Sequence, residues 1–385
     1  MLNFTFYNPV KILFGKGQIA ELSKEMAKNK RILMTYGGGS IKRNGVYDQV
    51  MDALKGYDVL EFSGIEPNPH YETLMKAVDI VKKEKIDFLL SVGGGSVLDG
   101  TKFIAAAAEY EGDDPWDILS DWSLIKRAIP FGAVLTLPAT GSEMNAGAVI
   151  TKAETQDKLN FVHPAVFPKF SILDPTVTFT LPPHQTANGI IDTFVHTTEQ
   201  YLTYPVNAPF QDRIAEGILL ALIEDAPIVM TKPDDYDARA NIMLCAAMAL
   251  NGLLGMGVPQ DWAAHMIGHE ITAKYGLDHG QTLAIISPSV LQVKRDSKRE
   301  KLLQYAERVW DIKEGDDESR IDKAINKMRE FFEGLGVKTH FSDYDISEDV
   351  VPVILEQLKK HGMTALGENQ DITLEVSKEI LQRSL

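Results

Sequence analysis

The sequence predicts two domains: an N-terminal α/β domain built on a parallel sheet, followed by an all-helical domain. The chain has 385 residues, which is enough for two domains that each bury a core. From residue 30 to about residue 180, short β-rich runs alternate with segments of helical periodicity. After Leu181-Pro182-Pro183 the apolar residues recur with a helical period, and no strand pattern returns. We therefore place the two domains at residues 1–180 and 181–385.

The first domain contains a series of strands separated by helices. Helical segments begin near Lys42, Tyr71 and Val97, each after one of the first three strands. Strands joined through helices pair in parallel and are covered on both faces, which predicts a Rossmann-like sheet. The predicted strands are Arg31–Tyr36, Asp58–Phe62, Asp87–Val92, Gly132–Leu137 and Ser171–Asp174.

The composition excludes several classes of function. The 54 Asp and Glu residues exceed the 39 Lys and Arg residues, and the net charge of -15 repels a phosphate backbone. We therefore expect no nucleic-acid partner. The only cysteine, Cys245, allows neither an intrachain disulfide nor a cysteine-based zinc site. Any bound metal ion must then be held by histidine and carboxylate side chains.

No segment is expected to enter a membrane. The uncharged stretch 240–260 is about as long as a bilayer span, but Asn241, Asn251, Pro259 and three glycines favour a buried helix of the second domain. The N-terminus has no basic patch followed by an apolar core, so it is not typical of a signal peptide. We expect a cytoplasmic protein with no membrane partner.

Two glycine-rich turns share one pattern, because each closes an apolar run and precedes a helix. They are Tyr36-Gly-Gly-Gly-Ser40 and Val92-Gly-Gly-Gly-Ser96. Glycine lets backbone N–H groups come close to a ligand, and the helix N-terminus favours an anion. The second turn follows a clear strand, at the edge where open α/β sheets bind ligands, so Gly94, Gly95 and Ser96 are predicted to bind a pyrophosphate. A purely structural turn is the alternative.

The first turn indicates which dinucleotide is bound. Folds that prefer NAD usually place a carboxylate near the end of an early strand, where it binds the ribose 2'-hydroxyl. Here Gly37, Gly38 and Ser40 occupy that place, and Lys42 and Arg43 follow. An added 2'-phosphate meets hydrogen-bond donors and cations there, and we expect no negative charge to oppose it. The turn therefore favours NADP(H).

Five candidate metal ligands lie in three neighbouring segments of the helical domain. Asp192 and His196 are four residues apart, as are His265 and His269, and this spacing places each pair on one helix face. His279 follows shortly after. Three imidazoles and one carboxylate suit iron(II) or zinc, with a position left for substrate. Spacing alone does not decide which histidine stays outside the set.

Such an ion acts as a Lewis acid on a carbonyl or alcohol oxygen. If a nicotinamide lies beside it, this chemistry suits reversible hydride transfer. A lone histidine on an apolar helix is more often a hydrogen-bonded core residue than a metal ligand. The two pairs together are therefore stronger evidence for a metal site than either pair alone. The remaining histidines have no such partners and are predicted to be surface or structural residues: His70, His163, His184, His340 and His361.

Several motifs together resemble a known family. They are Phe14-Gly-Lys-Gly17, both glycine turns, Ile65-Glu-Pro-Asn-Pro69, Thr136-Leu-Pro-Ala-Thr-Gly-Ser-Glu143, Leu173-Asp-Pro175, the segments Asp192–His196 and Trp262–Thr282, and Gly367-Glu-Asn-Gln-Asp-Ile-Thr373. In these motifs the chain resembles the iron-containing (group III) alcohol dehydrogenase family, and most of all its NADPH-dependent butanol dehydrogenase and broad-range aldehyde reductase branch. The resemblance covers nearly the whole chain. It implies a dinucleotide-binding domain and a metal-binding helical domain, with the active site in the cleft between them.

The resemblance also implies roles for individual residues. The implied metal ligands are Asp192, His196, His265 and His279, whereas His269 is implied to be a catalytic residue near the nicotinamide and substrate. The implied cofactor contacts are Gly38 and Ser40 at the 2'-phosphate, Asn68 at the adenosine half, Gly95 and Ser96 at the pyrophosphate with Asp99 on the same helix start, Thr136, Leu137 and Thr140 beside the nicotinamide, and Asn145, Gly147 and Lys158 elsewhere. The implied activity is reversible reduction of aldehydes to primary alcohols with NADP(H) and Fe²⁺ or Zn²⁺, by a homodimer.

Some of these residues have simpler explanations. The run from Thr140 to Glu143 matches a helix-capping pattern, Lys158 is interpretable as a solvated lysine, and Asp99 as a charge favoured at a helix N-terminus. For the whole chain, the alternative is an NAD- and metal-dependent sugar-phosphate cyclase, a lyase. That enzyme needs cations for the substrate phosphate, and the two histidine segments offer only Lys274. A metal-free nucleotide sensor is a third hypothesis.

One residue departs from the pattern of the family. Many relatives have proline directly after the second histidine of the Trp262–Thr282 segment, and here Glu270 stands in that place. We expect this carboxylate to lie near the site and to affect the choice of metal or the shape of the substrate pocket.

Overall fold

The computed structural model describes all 385 residues, which pack into two compact units. The sheet unit contains Tyr7–Leu181 and Pro233–Ala247, and the helical unit contains Met1–Phe6, Pro182–Lys232 and Met248–Leu385. None of the helices combines the length and the apolar character needed to cross a membrane.

A six-stranded parallel sheet forms the centre of the sheet unit. Its strands, in chain order, are β1 (Lys11–Phe14), β2 (Arg31–Thr35), β3 (Asp58–Phe62), β4 (Phe88–Gly94) and β5 (Phe131–Leu137), and after a hairpin of β6 (Gly147–Lys152) and β7 (Asp157–Val162) comes β8 (Phe170–Leu173). The sheet order is β1-β8-β5-β4-β2-β3. The predicted fold class and its five strands are confirmed, with ends that differ by at most two residues.

Helices cover both faces of the sheet. Successive residues of a strand point to opposite faces, and the apolar side chains on each face are buried by helices. Leu89 of β4 packs in a cluster with the helices at residues 71–84 and 95–107, while Leu90 packs in the cluster on the other face. The first helices of this unit are α1 (Leu22–Glu25), α2 (Ser40–Arg43), α3 (Val46–Ala53), α4 (Tyr71–Glu84), α5 (Gly95–Ala107) and α6 (Asp117–Ser120), and most of the helix at residues 236–249 also belongs to it.

Three strands were not predicted from the sequence. β1 has four residues at the edge of the sheet, of which only Leu13 is buried. β6 and β7 pair with each other in a separate antiparallel hairpin, and each is only half buried. These strands lack the continuous apolar runs that mark the central strands of a parallel sheet.

The rest of the chain is helical, as predicted, and contains no further strand. Its helices are α7 (Pro183–Tyr201), α8 (Pro209–Thr231), α9 (Tyr236–Ala249), α10 (Ala263–Tyr275), α11 (His279–Val293), α12 (Arg299–Arg308), α13 (Asp317–Gly334), α14 (Val350–Lys360) and α15 (Leu374–Arg383). One detail differs from the prediction. The stretch 240–260 is not one buried helix, because α9 ends at Ala249 and a turn with Gly252 at a φ of 90° follows.

Candidate active site

Helix α7 places Asp192 and His196 on one buried face. The helix starts with Pro183 at its first position, where proline's missing N–H costs no hydrogen bond. Every residue from Gly189 to Tyr201 is buried. Buried threonine hydroxyls bond to carbonyls one turn back, so the polar residues of this stretch do not disrupt the helix; Thr193 Oγ1, for example, lies 2.8 Å from the carbonyl oxygen of Gly189.

Helices α10 and α11 bring the remaining histidines to α7. His265 and His269 lie one turn apart on α10, and His279 is the first residue of α11. Asp278 and Gln281 form a reciprocal capping box that defines where α11 begins. Gly280 permits a close approach, because a Cβ atom there would lie 2.7 Å from the Cα atom of Asn188 on α7.

The predicted ligands converge on one carboxylate oxygen. Asp192 Oδ1 lies 3.5 Å from Nε2 of His196, 3.6 Å from Nε2 of His265 and 3.7 Å from Nε2 of His279. Three of these residues, Asp192, His265 and His279, have ligand atoms that are all within 4.8 Å of one another. Residues 87 positions apart in the chain therefore present three metal-binding atoms to one small volume, and Nε2 of His196 approaches the same carboxylate oxygen.

The spacing of these atoms fits a first-row divalent ion. Ligands held about 2.1 Å from a tetrahedral ion stand about 3.4 Å apart, close to the three distances measured from Asp192 Oδ1. The Nε2 atom of His265 is buried and makes no hydrogen bond, so it has a lone pair or a proton without a protein partner. An ion at this point would satisfy it.

The electrostatics of the histidines also fit a cation. Burial lowers the pKa of His196 to about 4, so its ring is neutral, which is the form that binds a metal. Burial also opposes a charge on His265, but the carboxylates of Glu199 and Asp192 outweigh burial and raise its pKa to about 9. Positive charge is therefore favoured between these carboxylates, and a divalent ion would replace the proton.

Glu199 contacts the candidate site and was not identified from the sequence. It is buried on α7, its Oε1 atom accepts a 2.7 Å hydrogen bond from the backbone N–H of Ala264, and its Oε2 atom pairs with Nδ1 of His265. A proton held on Nδ1 directs the lone pair of Nε2 towards Asp192. The sequence could have indicated Glu199 as a candidate, because it lies seven residues after Asp192 and thus on the same helix face.

Replacing Glu199 with glutamine is expected to lower zinc affinity by about 10- to 100-fold, because a neutral amide holds the His265 ring less strongly. Competition against a chromogenic chelator measures this change. The buried Glu216→Gln variant, whose carboxylate bonds to Tyr201 and Arg308, is the matched control and should keep the affinity of the unmodified protein. Equal affinities of all three proteins would contradict the role of Glu199.

His269 lies beside the metal-binding atoms, and Glu270 follows it on α10. The His269 ring centroid is 5.1 Å from that of His279, and His269 is not among the converging atoms. The carboxylate of Glu270 does not join them either, because its Oε1 atom lies 2.6 Å from Nδ1 of His361. His361, at the end of α14, comes from 91 residues away and is a structural partner of Glu270.

The predicted cofactor residues follow three adjacent strands. β2, β4 and β5 are neighbours in the parallel sheet, so their carboxyl ends lie at one edge. That edge carries Gly37, Gly38 and Ser40 after β2, Gly94, Gly95 and Ser96 at the end of β4, and Thr136, Leu137 and Thr140 at the end of β5. This is the edge where open α/β sheets bind ligands.

A negative charge lies near the first turn, contrary to expectation. Glu61, at the end of β3, accepts hydrogen bonds from the hydroxyls of Tyr36 and Tyr47 and lies 3.4 Å from Nζ of Lys42. Because β3 pairs with β2, residues 25 positions apart become neighbours here. Lys42 is therefore partly neutralised.

Asn68, Ser96 and Lys158 come together from three segments. The backbone N–H of Asn68 lies 3.2 Å from Ser96 Oγ, and Lys158 Nζ donates to Asn68 Oδ1 at 2.9 Å. Asn68 adopts a left-handed φ of 54°, which is a strained conformation often kept at functional sites. The interpretation of Lys158 as a solvated lysine was wrong, because only 4% of this residue is exposed.

The segment after β5 is held by helix α5. Asn145 Oδ1 accepts from the backbone N–H of Gly147 at 2.9 Å, and its side-chain amide reaches the carbonyl of Thr140. Asp99 accepts from Ser142 Oγ at 2.7 Å and from the backbone N–H of Val149 at 2.9 Å. Asp99 thus engages the protein with both carboxylate oxygens.

Glu143 is fully buried in this segment, and burial raises its pKa from 4.5 to about 7. Between pH 4.5 and pH 7, Glu143 is therefore protonated in the folded protein and ionised in the unfolded chain. Its protonation stabilises the folded protein fully below pH 4.5, and this stabilisation is lost as the pH rises through 7. Replacing Glu143 with glutamine should remove that loss, so the variant should gain about 2 to 4 kcal/mol relative to the unmodified protein between pH 4.5 and pH 8. Urea unfolding of both proteins at several pH values measures the gain. A constant difference at every pH would contradict it.

Comparison with known proteins decides the family. The model of the "Iron-containing alcohol dehydrogenase" family matches residues 9–175, and that of the "Fe-containing alcohol dehydrogenase family, C-terminal" matches residues 186–384. The chain belongs to the iron-containing alcohol dehydrogenase family. Within this family it is 62% identical to the "NADPH-dependent aldehyde reductase YqhD" of Escherichia coli (strain K12), over 99% of both chains. It is 41% identical to "NADH-dependent butanol dehydrogenase A" of Clostridium acetobutylicum, over the full length of both.

Solved structures of family members have the same fold. The crystal structure of E. coli K-12 YqhD matches with a TM-score of 0.99 at 61% identity, covering 100% of this chain and 99% of that one. The NADH-dependent butanol dehydrogenase A from Thermotoga maritima matches with a TM-score of 0.94 at 38% identity, again covering 100% and 99%. The resemblance stated from the sequence motifs is therefore confirmed, and these family members are dehydrogenases and reductases, not lyases.

Proposed function

We propose that the chain is a metal-dependent NADP(H)-linked oxidoreductase that reduces aldehydes to primary alcohols and catalyses the reverse oxidation. The observation that carries this proposal is the convergence of three imidazole nitrogens on one carboxylate oxygen, in a chain that belongs to the iron-containing alcohol dehydrogenase family. The 62% identity to a reductase named as NADPH-dependent supports NADP(H) as the cofactor.

Four side chains are proposed to hold one divalent ion, Fe²⁺ or Zn²⁺: Asp192, His196, His265 and His279. When bound, such an ion supplies Lewis acidity that polarises a carbonyl oxygen. Glu199 keeps the proton of His265 on Nδ1, so that Nε2 is available as a ligand. His269, buried next to the His279 ring, is proposed to pass a proton from its ring to the substrate oxygen that becomes the alcohol hydroxyl, and to regain a proton from solvent.

The cofactor is proposed to bind at the carboxyl edge of β2, β4 and β5. Gly37, Gly38 and Ser40 are assigned to the 2'-phosphate and Gly94, Gly95 and Ser96 to the pyrophosphate. Asn68 and Lys158 are assigned to the adenosine half, where their mutual hydrogen bond orients both. The remaining proposed contacts, which surround the nicotinamide, are Asp99, Thr136, Leu137, Thr140, Asn145 and Gly147.

We also propose that residues 1–180 serve as the dinucleotide-binding domain, residues 181–385 as the metal-binding domain, and that the active protein is a homodimer. The N-terminal arm supports self-association, because Met1, Leu2, Phe4 and Phe6 are each about half exposed. The cytoplasmic location stays a prediction from the sequence.

A substrate panel tests the proposed function. Protein loaded with Fe²⁺ or Zn²⁺ should consume NADPH with butanal and other short aldehydes, and should use NADH less efficiently. Removal of the metal with a chelator should abolish turnover, and adding the ion back should restore it. Equal turnover with and without metal, or no reaction with any aldehyde or alcohol, would refute the proposal.

A further inference from the structure

Lys102 is a charged side chain in the interior of the sheet unit. It lies on α5 and is 0% exposed, although lysine is almost never fully buried unless it is paired. Its ammonium group donates to Ser142 Oγ at 2.7 Å, Asn145 Oδ1 at 3.0 Å and the carbonyl of Gly147 at 2.7 Å. Three donors thus meet three acceptors, which is the full capacity of an ammonium group.

All three acceptors belong to the segment that follows β5, here called the 140–149 loop. Two of them, Asn145 and Gly147, are proposed cofactor contacts. The third, Ser142, donates its own hydroxyl proton to Asp99, which lies one turn before Lys102 on α5. Asp99 also holds the backbone N–H of Val149. The two charged residues therefore attach both ends of the loop to a single helix.

The same helix begins at the pyrophosphate turn. Gly95 is the first residue of α5, and a Cβ atom on it would lie 2.5 Å from Oγ1 of Thr140. The pyrophosphate turn therefore packs against the start of the 140–149 loop. The rest of the loop is bound to α5 through Lys102 and Asp99. Any shift of the loop relative to α5 changes the spacing between the groups assigned to the pyrophosphate and to the nicotinamide.

Charge balance alone does not explain how this lysine is placed. The nearby acidic groups of Asp99 and Glu143 favour a buried cation, but they do not require that its three donors all bond to one loop. The ammonium group has one property that an apolar side chain lacks, because it fixes three separate atoms of the loop in one geometry.

We propose that Lys102 is a positioning residue that fixes the 140–149 loop to α5 and thereby sets the affinity for NADP(H). This inference rests on the proposed function, because it assumes that NADP(H) contacts the loop. Lys102 acts through Asn145 and Gly147 and does not itself need to touch the cofactor.

The test is NADPH binding to the metal-loaded protein, measured by fluorescence titration, with steady-state kinetics in parallel. Lys102→Met should raise the Kd and the KM for NADPH by about 10- to 100-fold, with the aldehyde KM and the metal content unchanged. Ser142→Ala, which removes only the bridging hydroxyl, should raise the Kd by about 3- to 10-fold. Lys301→Met is the matched control, because it removes a buried lysine, which pairs with Asp212, from the helical unit and should leave the NADPH Kd unchanged.

The outcomes separate this inference from the proposed function. If the unmodified protein itself binds no NADPH, the proposed function fails. If the unmodified protein binds NADPH and both Lys102→Met and Ser142→Ala bind it equally well, the positioning role is wrong. If Lys102→Met does not fold, Ser142→Ala alone decides, and an unchanged Kd for that variant overturns the inference. A rise in Kd that Lys301→Met reproduces also overturns it.

Discussion

Replacing His265 with alanine is expected to remove the bound metal and to lower turnover about a thousandfold or more, since a Lewis acid supplies several kcal/mol of charge stabilisation. The ring contributes an Nε2 atom 3.6 Å from Asp192 Oδ1 and, through Nδ1, a partner for the buried Glu199. The His265→Ala variant loses the metal-binding nitrogen and the partner of Glu199, so the buried Glu199 carboxylate has no positive charge beside it. The NADPH affinity should not change, because the proposed cofactor residues lie in the sheet unit.

Metal analysis after dialysis, steady-state kinetics and NADPH titration measure the three effects separately. His340→Ala is the control, because this histidine is partly exposed and is not among the converging atoms. It should keep both metal and turnover. Full activity of a metal-free His265→Ala protein would show that the metal has no part in the reaction.

Replacing Lys298 with methionine is expected to cost about 3 to 5 kcal/mol of stability, because it breaks a buried ion cluster by removing its only cation. The ammonium group of Lys298 is fully buried and lies 2.9 Å from Asp261, 2.7 Å from Glu368 and 2.8 Å from the carbonyl of Leu202. Without it, two buried carboxylates repel each other and have lost their counter-charge. Urea unfolding near neutral pH measures the loss.

The same substitution should also weaken metal retention. Asp261 accepts from the backbone N–H of Ala263 at the start of α10, and its own N–H donates to the carbonyl of Glu199. The cluster therefore supports the two elements that present Glu199 and His265. Lys327→Met is the control, since its ion pair with Glu330 is solvent-exposed and contributes at most about 1 kcal/mol. Equal stability losses in the two variants would contradict the importance of the buried cluster.

The sequence was most informative where the chemistry is local. Asp192 and His196 are visible as candidates because four residues make one helical turn, and β4 is visible because a central parallel strand is continuously apolar. The half-buried hairpin of β6 and β7 gave no comparable signal. Its position matters, because it carries Lys158 to Asn68, a partner 90 residues away.

The interactions that support the site are long-range and were not predictable from spacing. Glu199 and His265 are 66 residues apart, and Lys298 and Glu368 are 70 apart. Lysine is normally a surface residue, so neither Lys102 nor Lys298 stands out in the sequence. Only the packing of the folded chain shows that these side chains are buried and which groups they bind.

Anomalous diffraction at the metal absorption edge, on crystals of the protein as purified, tests the central claim most directly. The account predicts one strong peak bonded to Asp192 Oδ1 and to the Nε2 atoms of His196, His265 and His279, at about 2.0 to 2.2 Å. His269 should lie outside the bonded set. A peak held by other residues, or none in a fully active protein, would contradict the account.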